Sequence, residues 1–209
     1  LDGDPFVTEN PGGPPLFYTT YLRPDPERDF ARVYATIWDP RIVELRMQAG
    51  TREPLSATGT TGSGEVLRDP RIFKRLVAGF NGGFQAMHGE FGMMVDDALY
   101  LPPKPYAATV AVLRGGRVGF GSWPGQSEPI PPDIVSFRQN LTPLVDGGRF
   151  NPFGRNWWGG APPTSSDPVH TIRTGLCMTE EGFGAYFWGV HLAPVALANA
   201  MRQTRCAYA

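Results

Sequence analysis

Thr171-Ile172-Arg173-Thr174-Gly175-Leu176-Cys177-Met178 and Phe183-Gly184-Ala185-Tyr186-Phe187-Trp188 flank Glu180-Glu181-Gly182. Both runs have strand length and are rich in aromatic and β-branched residues. The glycine between them supplies the backbone freedom that a tight connection needs, so the stretch reads as a long antiparallel hairpin. Directly after it, Pro194 suits a first helical position, and Leu197, Ala198 and Met201 recur at helical spacing. Arg202 and Arg205 fall in the last turn, where cations favour the helix dipole. Cys206-Ala207-Tyr208-Ala209 then returns to a strand-like pattern. Hairpin, helix and strand in that order define an α+β architecture with a helix laid on an antiparallel sheet.

Upstream, the same logic yields more hairpins. Met93-Met94-Val95 and Ala98-Leu99-Tyr100-Leu101 surround Asp96-Asp97, a pair that suits a tight turn. Thr109 to Leu113 and Val118 to Phe120 surround Gly115-Gly116, read as a two-residue loop with positive φ. Ala31 to Trp38 is a strand that ends at Asp39-Pro40, and the alternation of Val43, Leu45 and Met47 with Glu44, Arg46 and Gln48 predicts another. Asp69-Pro70 caps a short helix whose apolar face is Ile72, Phe73, Leu76 and Val77. It runs into a strand ending Val77-Ala78-Gly79-Phe80. The expectation is a mainly antiparallel, hairpin-rich sheet with two or three packed helices and long Pro/Gly-rich loops.

Composition agrees. Gly (26) and Pro (22) make up nearly a quarter of 209 residues, yet 41% of the chain is hydrophobic and 12% aromatic, enough to fold. Residues 1–29, dense in proline and glycine, read as an extended arm, and 30–209 as one domain. Residues 122–168, with nine prolines, read as a long irregular excursion that forms a binding surface or lid. A net charge of −1 gives no field for nucleic acid, and no apolar run has the length of a membrane span. Cys177 and Cys206 are too few for a disulfide framework, and form one bridge or two buried thiols. His88, His170 and His191 lack zinc spacing, and Asp96-Asp97 alone is no calcium site. No metal ligand set or cofactor is expected, with a divalent cation left open.

Taken in order, three segments resemble the phosphodiester glycosidase family. The strand ending Val77-Ala78-Gly79-Phe80-Asn81-Gly82-Gly83-Phe84 is similar to its Asn-Gly-Gly-Phe-Phe-type turn. Ile172-Arg173-Thr174-Gly175-Leu176-Cys177 is similar to its Arg-Thr-Ala-x-Gly strand, and the helix Leu192 to Arg205 ending in Cys206-Ala207-Tyr208-Ala209 is similar to its last helix and the start of the following strand. The likeness covers roughly Phe30 to Ala209. One departure matters: the family's acidic Gly-rich strand, expected after Ala209, is not in this sequence. Val145-Asp146-Gly147-Gly148 looks like it but precedes the Arg-Thr strand, so it reads as a turn or an independent site. The domain is therefore expected to be incomplete at its C-terminus, its sheet finished by that segment or another chain.

The resemblance implies hydrolysis of a sugar-1-phosphodiester linkage on a glycan or envelope polysaccharide, in an extracytoplasmic setting. The partner is then a glycan or sugar phosphate, with no nucleic acid and no integral membrane segment. The alternative is a non-catalytic carbohydrate-binding or structural module of the same fold. Asn81, Gly82 and Gly83 would bring backbone N–H groups close to the ligand. Arg173 offers a bidentate fork for phosphate, against an ordinary role paired to a structural acceptor; Thr174 faces the other side of its strand. Glu90 is the candidate acid or base and His88 the candidate for phosphate oxygens, each also readable as an ordinary loop residue. Trp157 offers an aromatic face for a sugar, or anchors its loop. The geometric expectation is that the turn near Gly82 and the guanidinium of Arg173 converge on one anion-accepting pocket.

Overall fold

The computed structural model describes residues 13, 15–50, 56–62, 64, 69–84, 86–125, 129–154 and 169–209. In chain order its elements are β1 (Phe17–Leu22), β2 (Val33–Trp38), α1 (Pro70–Phe73), β3 (Met93–Val95), β4 (Ala98–Leu101), β5 (Ala108–Leu113) and β6 (Val118–Ser122). Further along the chain come β7 (Ile134–Asn140), β8 (Val145–Asp146), β9 (Arg149–Phe150), β10 (Thr171–Thr179), β11 (Gly184–Leu192), α2 (Pro194–Gln203) and β12 (Cys206–Tyr208). The strands form two sheets rather than one. Sheet A has the order β1-β2-β11-β10-β12-β8-β9, and sheet B the order β4-β3-β7-β5-β6. Every pairing is antiparallel. The fold is thus α+β and sheet-dominated.

The β10–β11 hairpin is the axis of sheet A. Cys177 pairs with Ala185 and Gly175 with Phe187, and on the neighbouring strand Ala35 pairs with Phe187. These residues share one face, and α2 lies on it. Phe187, Ala185, Cys177, Val33, Ala198 and Met201 are wholly buried together. Each large apolar side chain removed from water here stabilises the fold by about 1.5–3 kcal/mol before entropy is counted. Gly175 is small because α2 passes there: a Cβ would collide with the end of Met201. Cys177 and Cys206 form a disulfide that joins β10 to β12, which decides between the two readings of these cysteines.

Sheet B is covered on both faces. Met93 and Val95 pack with Ala49, Tyr100 and Leu101, whereas Met94 points the other way into Ala111, Trp123 and Phe137. Asp96 and Asp97 form the β3–β4 turn with φ of 49° and 64°. Ser122 Oγ donates to Asp146 Oδ2 at 2.5 Å, linking the last strand of sheet B to sheet A.

Several expectations change. The arm contains an edge strand, β1, because Phe17 to Leu22 is a proline-free run of aromatic and β-branched residues inside a proline-rich window. The excursion 122–168 contains β7, the central strand of sheet B, for the same reason: Ile134 to Asn140 lies between Pro132 and Pro143. The alternating segment 43–48 makes no strand, and neither does Val77 to Phe80. The helix at Asp69-Pro70 caps as expected, Arg71 N donating to Asp69 Oδ1, but α1 spans four residues and buries none of them. Of the two helices, α2 alone packs on a sheet through buried residues. The Gly115-Gly116 connection is one residue longer than expected, closed by Leu113 N donating to Arg117 O.

Candidate functional site

The Asn81-Gly82-Gly83 turn is held by a local bond, Gly83 N donating to Asn81 Oδ1 at 3.2 Å. None of the three residues has a positive φ, so the glycines are not there for a left-handed backbone. Gly83 is there for closeness, whereas a Cβ on Gly82 would meet only Arg138 Cγ at 3.9 Å, an ordinary contact. A Cβ on Gly83 would stand 2.9 Å from Arg138 Nε and 3.0 Å from Nη2, so the guanidinium of β7 lies directly against the turn.

Arg138 is the residue that sequence reasoning missed. Its Nη2 donates to Phe84 O, and its Nη1 donates to Phe91 O at 2.7 Å, Gly92 O at 3.2 Å and Gln139 O at 3.1 Å. Every acceptor is a backbone carbonyl; among the described residues no carboxylate pairs with it. Burial pulls its pKa down to about 10, which still leaves it cationic at neutral pH. The guanidinium therefore clips both ends of the 84–91 loop to sheet B while keeping a positive charge beside Gly83.

Gln139, next along the strand, anchors the two segments that flank it. Its Oε1 accepts from Gly92 N at 3.1 Å and Lys104 N at 2.6 Å, and its Nε2 donates to Lys104 O and Thr109 Oγ1. A fully buried amide with both ends satisfied fixes local geometry well. The sequence carried a signal: Gln139 occupies the same strand phase as buried Phe137, where an apolar residue is the default. Lys104 Nζ reaches back to donate to Gly89 O and lies 5.6 Å from the centre of the Phe91 ring.

His88 and Glu90 belong to this tethered loop. His88 ends a single 3₁₀ turn, Ala86–His88, and its ring meets Phe84 edge-on at 6.1 Å. Glu90 has φ of 47°, with its N–H donating to Ala86 O at 2.7 Å, and its side chain is exposed. The structure thus brings Asn81, Gly82, Gly83, His88 and Glu90 into one loop system on sheet B. Trp157 lies outside the described residues.

Arg173 is elsewhere. It pairs with Gly189, two residues from the Gly175–Phe187 pair under α2, so it sits on the helix-covered face of sheet A. Its Nε donates to Leu192 O at 2.8 Å and its Nη2 to Val169 O at 2.9 Å, and burial lowers its pKa. Phe80, which leads into the Asn-Gly-Gly turn, packs on Tyr186 at 4.8 Å. Tyr186 points to the opposite face from Phe187. The turn and Arg173 therefore approach sheet A from opposite sides, and their expected convergence is corrected: the arginine at the turn is Arg138. Thr174 is exposed on the Tyr186 side.

That outer face has its own order. Tyr34 and Trp188 stack at 4.6 Å with 16° between planes, and Tyr21 tilts against Tyr34 at 6.2 Å.

No family model matches the chain, and no curated protein matches it significantly in sequence. Six solved chains match it in structure. One is the catalytic domain of zebrafish N-acetylglucosamine-1-phosphodiester alpha-N-acetylglucosaminidase, auto-inhibited by its pro-peptide. It aligns with a TM-score of 0.59 and 11% identity, covering 94% of this chain and 70% of that one. At this identity the likeness is one of fold.

Proposed function

We propose that this chain is a phosphodiester glycosidase-like hydrolase domain, acting on a sugar joined through its anomeric carbon to phosphate on a glycan or envelope polysaccharide. The observation that carries the reading is the fold shared with a phosphodiester glycosidase catalytic domain. The loop chemistry agrees with it. The Asn81–Gly83 backbone beside the Arg138 cation suits an anion, because a half-buried guanidinium is less screened by water than an exposed one. Glu90 serves as the acid or base, and His88 holds phosphate oxygens. A phosphate leaving group needs little help from a strong general acid, so one carboxyl group in the loop is a workable number.

The non-catalytic module has one observation in its favour: Glu90 is the sole carboxylate between Asn81 and Phe91, whereas glycosidic cleavage ordinarily uses two. An extracytoplasmic location is part of the proposal and is supported by the Cys177–Cys206 disulfide, a bond that persists in oxidising compartments.

The test is hydrolysis of methyl N-acetylglucosamine-1-phosphodiester, read as release of free sugar. Turnover by the intact protein, with at least a hundredfold loss in Glu90→Gln, is the expected result. Arg138→Ala loses more activity than Arg173→Ala. Undetectable turnover with retained glycan binding assigns the module instead.

A further inference from the structure

The strand register sets two rows across the outer face of sheet A. Tyr21, Tyr34, Trp188 and Thr174 stand side by side on β1, β2, β11 and β10. Beside them run Thr19, Thr36, Tyr186 and Leu176. In the first row Tyr34 occupies one face of the Trp188 indole. The cross-strand neighbour on the other side is Thr174, too small to cover the second face. Trp188 keeps 41% of its surface in water and Tyr21 50%, and Thr174 is exposed. The result is a shelf one strand wide, with an aromatic wall and a hydroxyl floor.

Charge narrows what fits there. Neither row holds an acidic or basic side chain. At the Tyr21 end of the row stands a cation, Arg32, whose guanidinium lies 5.0 Å from that ring. Among the described residues, the two rows themselves offer no charged group to a macromolecule recognised by charge. A neutral ligand with one apolar face and a hydroxyl rim matches both the indole and the threonine. Phe80, seated on Tyr186, connects the second row to the Asn81–Gly83 turn.

We infer that the exposed face of Trp188, above Thr174, binds a neutral pyranose ring of a glycan, packing its C–H face on the indole. The assignment rests on the carbohydrate reading above and adds a sugar subsite on sheet A, separate from the loop on sheet B.

The experiment is saturation-transfer NMR on the intact protein with the methyl α-glycosides of glucose, galactose and N-acetylglucosamine. At least one glycoside receives saturation at its ring C–H protons. Trp188→Ala weakens its binding about tenfold, and Trp188→Phe stays within about threefold of the parent. Thr174→Arg leaves the aromatic pair in place but fills the shelf, and it abolishes binding even if Trp188→Ala unfolds. The inference is overturned by no transfer to the wild-type protein, or by Trp188→Ala binding as the parent does. It is equally overturned by a dimer in sedimentation that Trp188→Ala dissolves, since a second copy would then be the occupant. The two readings fail separately. Sugar binding without phosphodiester hydrolysis removes the hydrolase assignment alone, and hydrolysis by a protein whose Trp188→Ala variant binds the glycosides as the parent does removes the subsite alone.

Discussion

Arg138 holds a positive charge against four carbonyl oxygens, two of them at opposite ends of one loop. Removing the guanidinium leaves those carbonyls without their donor, and bonds to charged groups are the costlier ones to lose. Arg138→Met is expected to lower unfolding stability by about 2–3 kcal/mol in urea titrations. It also raises amide exchange selectively across residues 84–91. Arg138→Lys restores part of the stability, because an ammonium donates but lacks the planar fork. Unchanged exchange in that loop would show that the clip does not hold it. The neighbouring positions explain what sequence alone could reach. Asn81, Gly82 and Gly83 stand out as a turn from their residue types. Their partner does not, because Arg138 lies more than fifty positions away and no local rule ties it to a glycine. At Arg173, an arginine among apolar strand residues suggests a phosphate fork. The register turns it toward Leu192 and Val169, whose carbonyls accept hydrogen bonds from its Nε and Nη2.

At the level of elements, close packing is tested best where a glycine is required by a neighbour and not by its own φ. Gly189 on β11 has no room: a Cβ would strike the carbonyl oxygen of Arg32 and come 2.7 Å from Leu192 Cδ1. Backbone cannot rotate away as a side chain end can, so Gly189→Ala is expected to cost about 1–3 kcal/mol in thermal or denaturant unfolding. Gly119 on β6 meets nothing within 4 Å, and Gly119→Ala is the matched control, within about 0.5 kcal/mol of the parent. Equal effects at the two positions would mean that β11 does not pack closely against the Arg32 backbone. The β10–β11 hairpin, the Asp96-Asp97 turn and the Pro194 helix start are all legible locally, since each rests on short-range pattern. β1 and β7 are hidden by the prolines around them. The segment 43–48 alternates as a strand should, yet finds no ladder partner, and alternation without a partner does not make a strand.

For the whole molecule, one covalent link closes the β10–α2–β12 unit, with a sequence separation of 29 between Cys177 and Cys206. Constraining a loop of that size in the unfolded chain is worth about 3.5 kcal/mol. Reduction, or the double change Cys177→Ala with Cys206→Ala, is expected to lower stability by about 3 kcal/mol, measured by urea unfolding with and without dithiothreitol. A midpoint insensitive to reductant would mean that the bridge adds nothing to the fold. The division into two sheets could not be anticipated from the individual hairpins, because their assignment depends on which strands meet across long stretches of chain. The strand order of sheet A also has a consequence during synthesis. β2 pairs with β11 at Val33 with Gly189 and Trp38 with Gly184, so its second edge waits for some 150 further residues. At ordinary ribosome speeds that is a delay of roughly ten to thirty seconds, during which a nascent two-stranded ribbon keeps one side open. The newborn chain is therefore a natural client for whatever chaperones meet it on the way out.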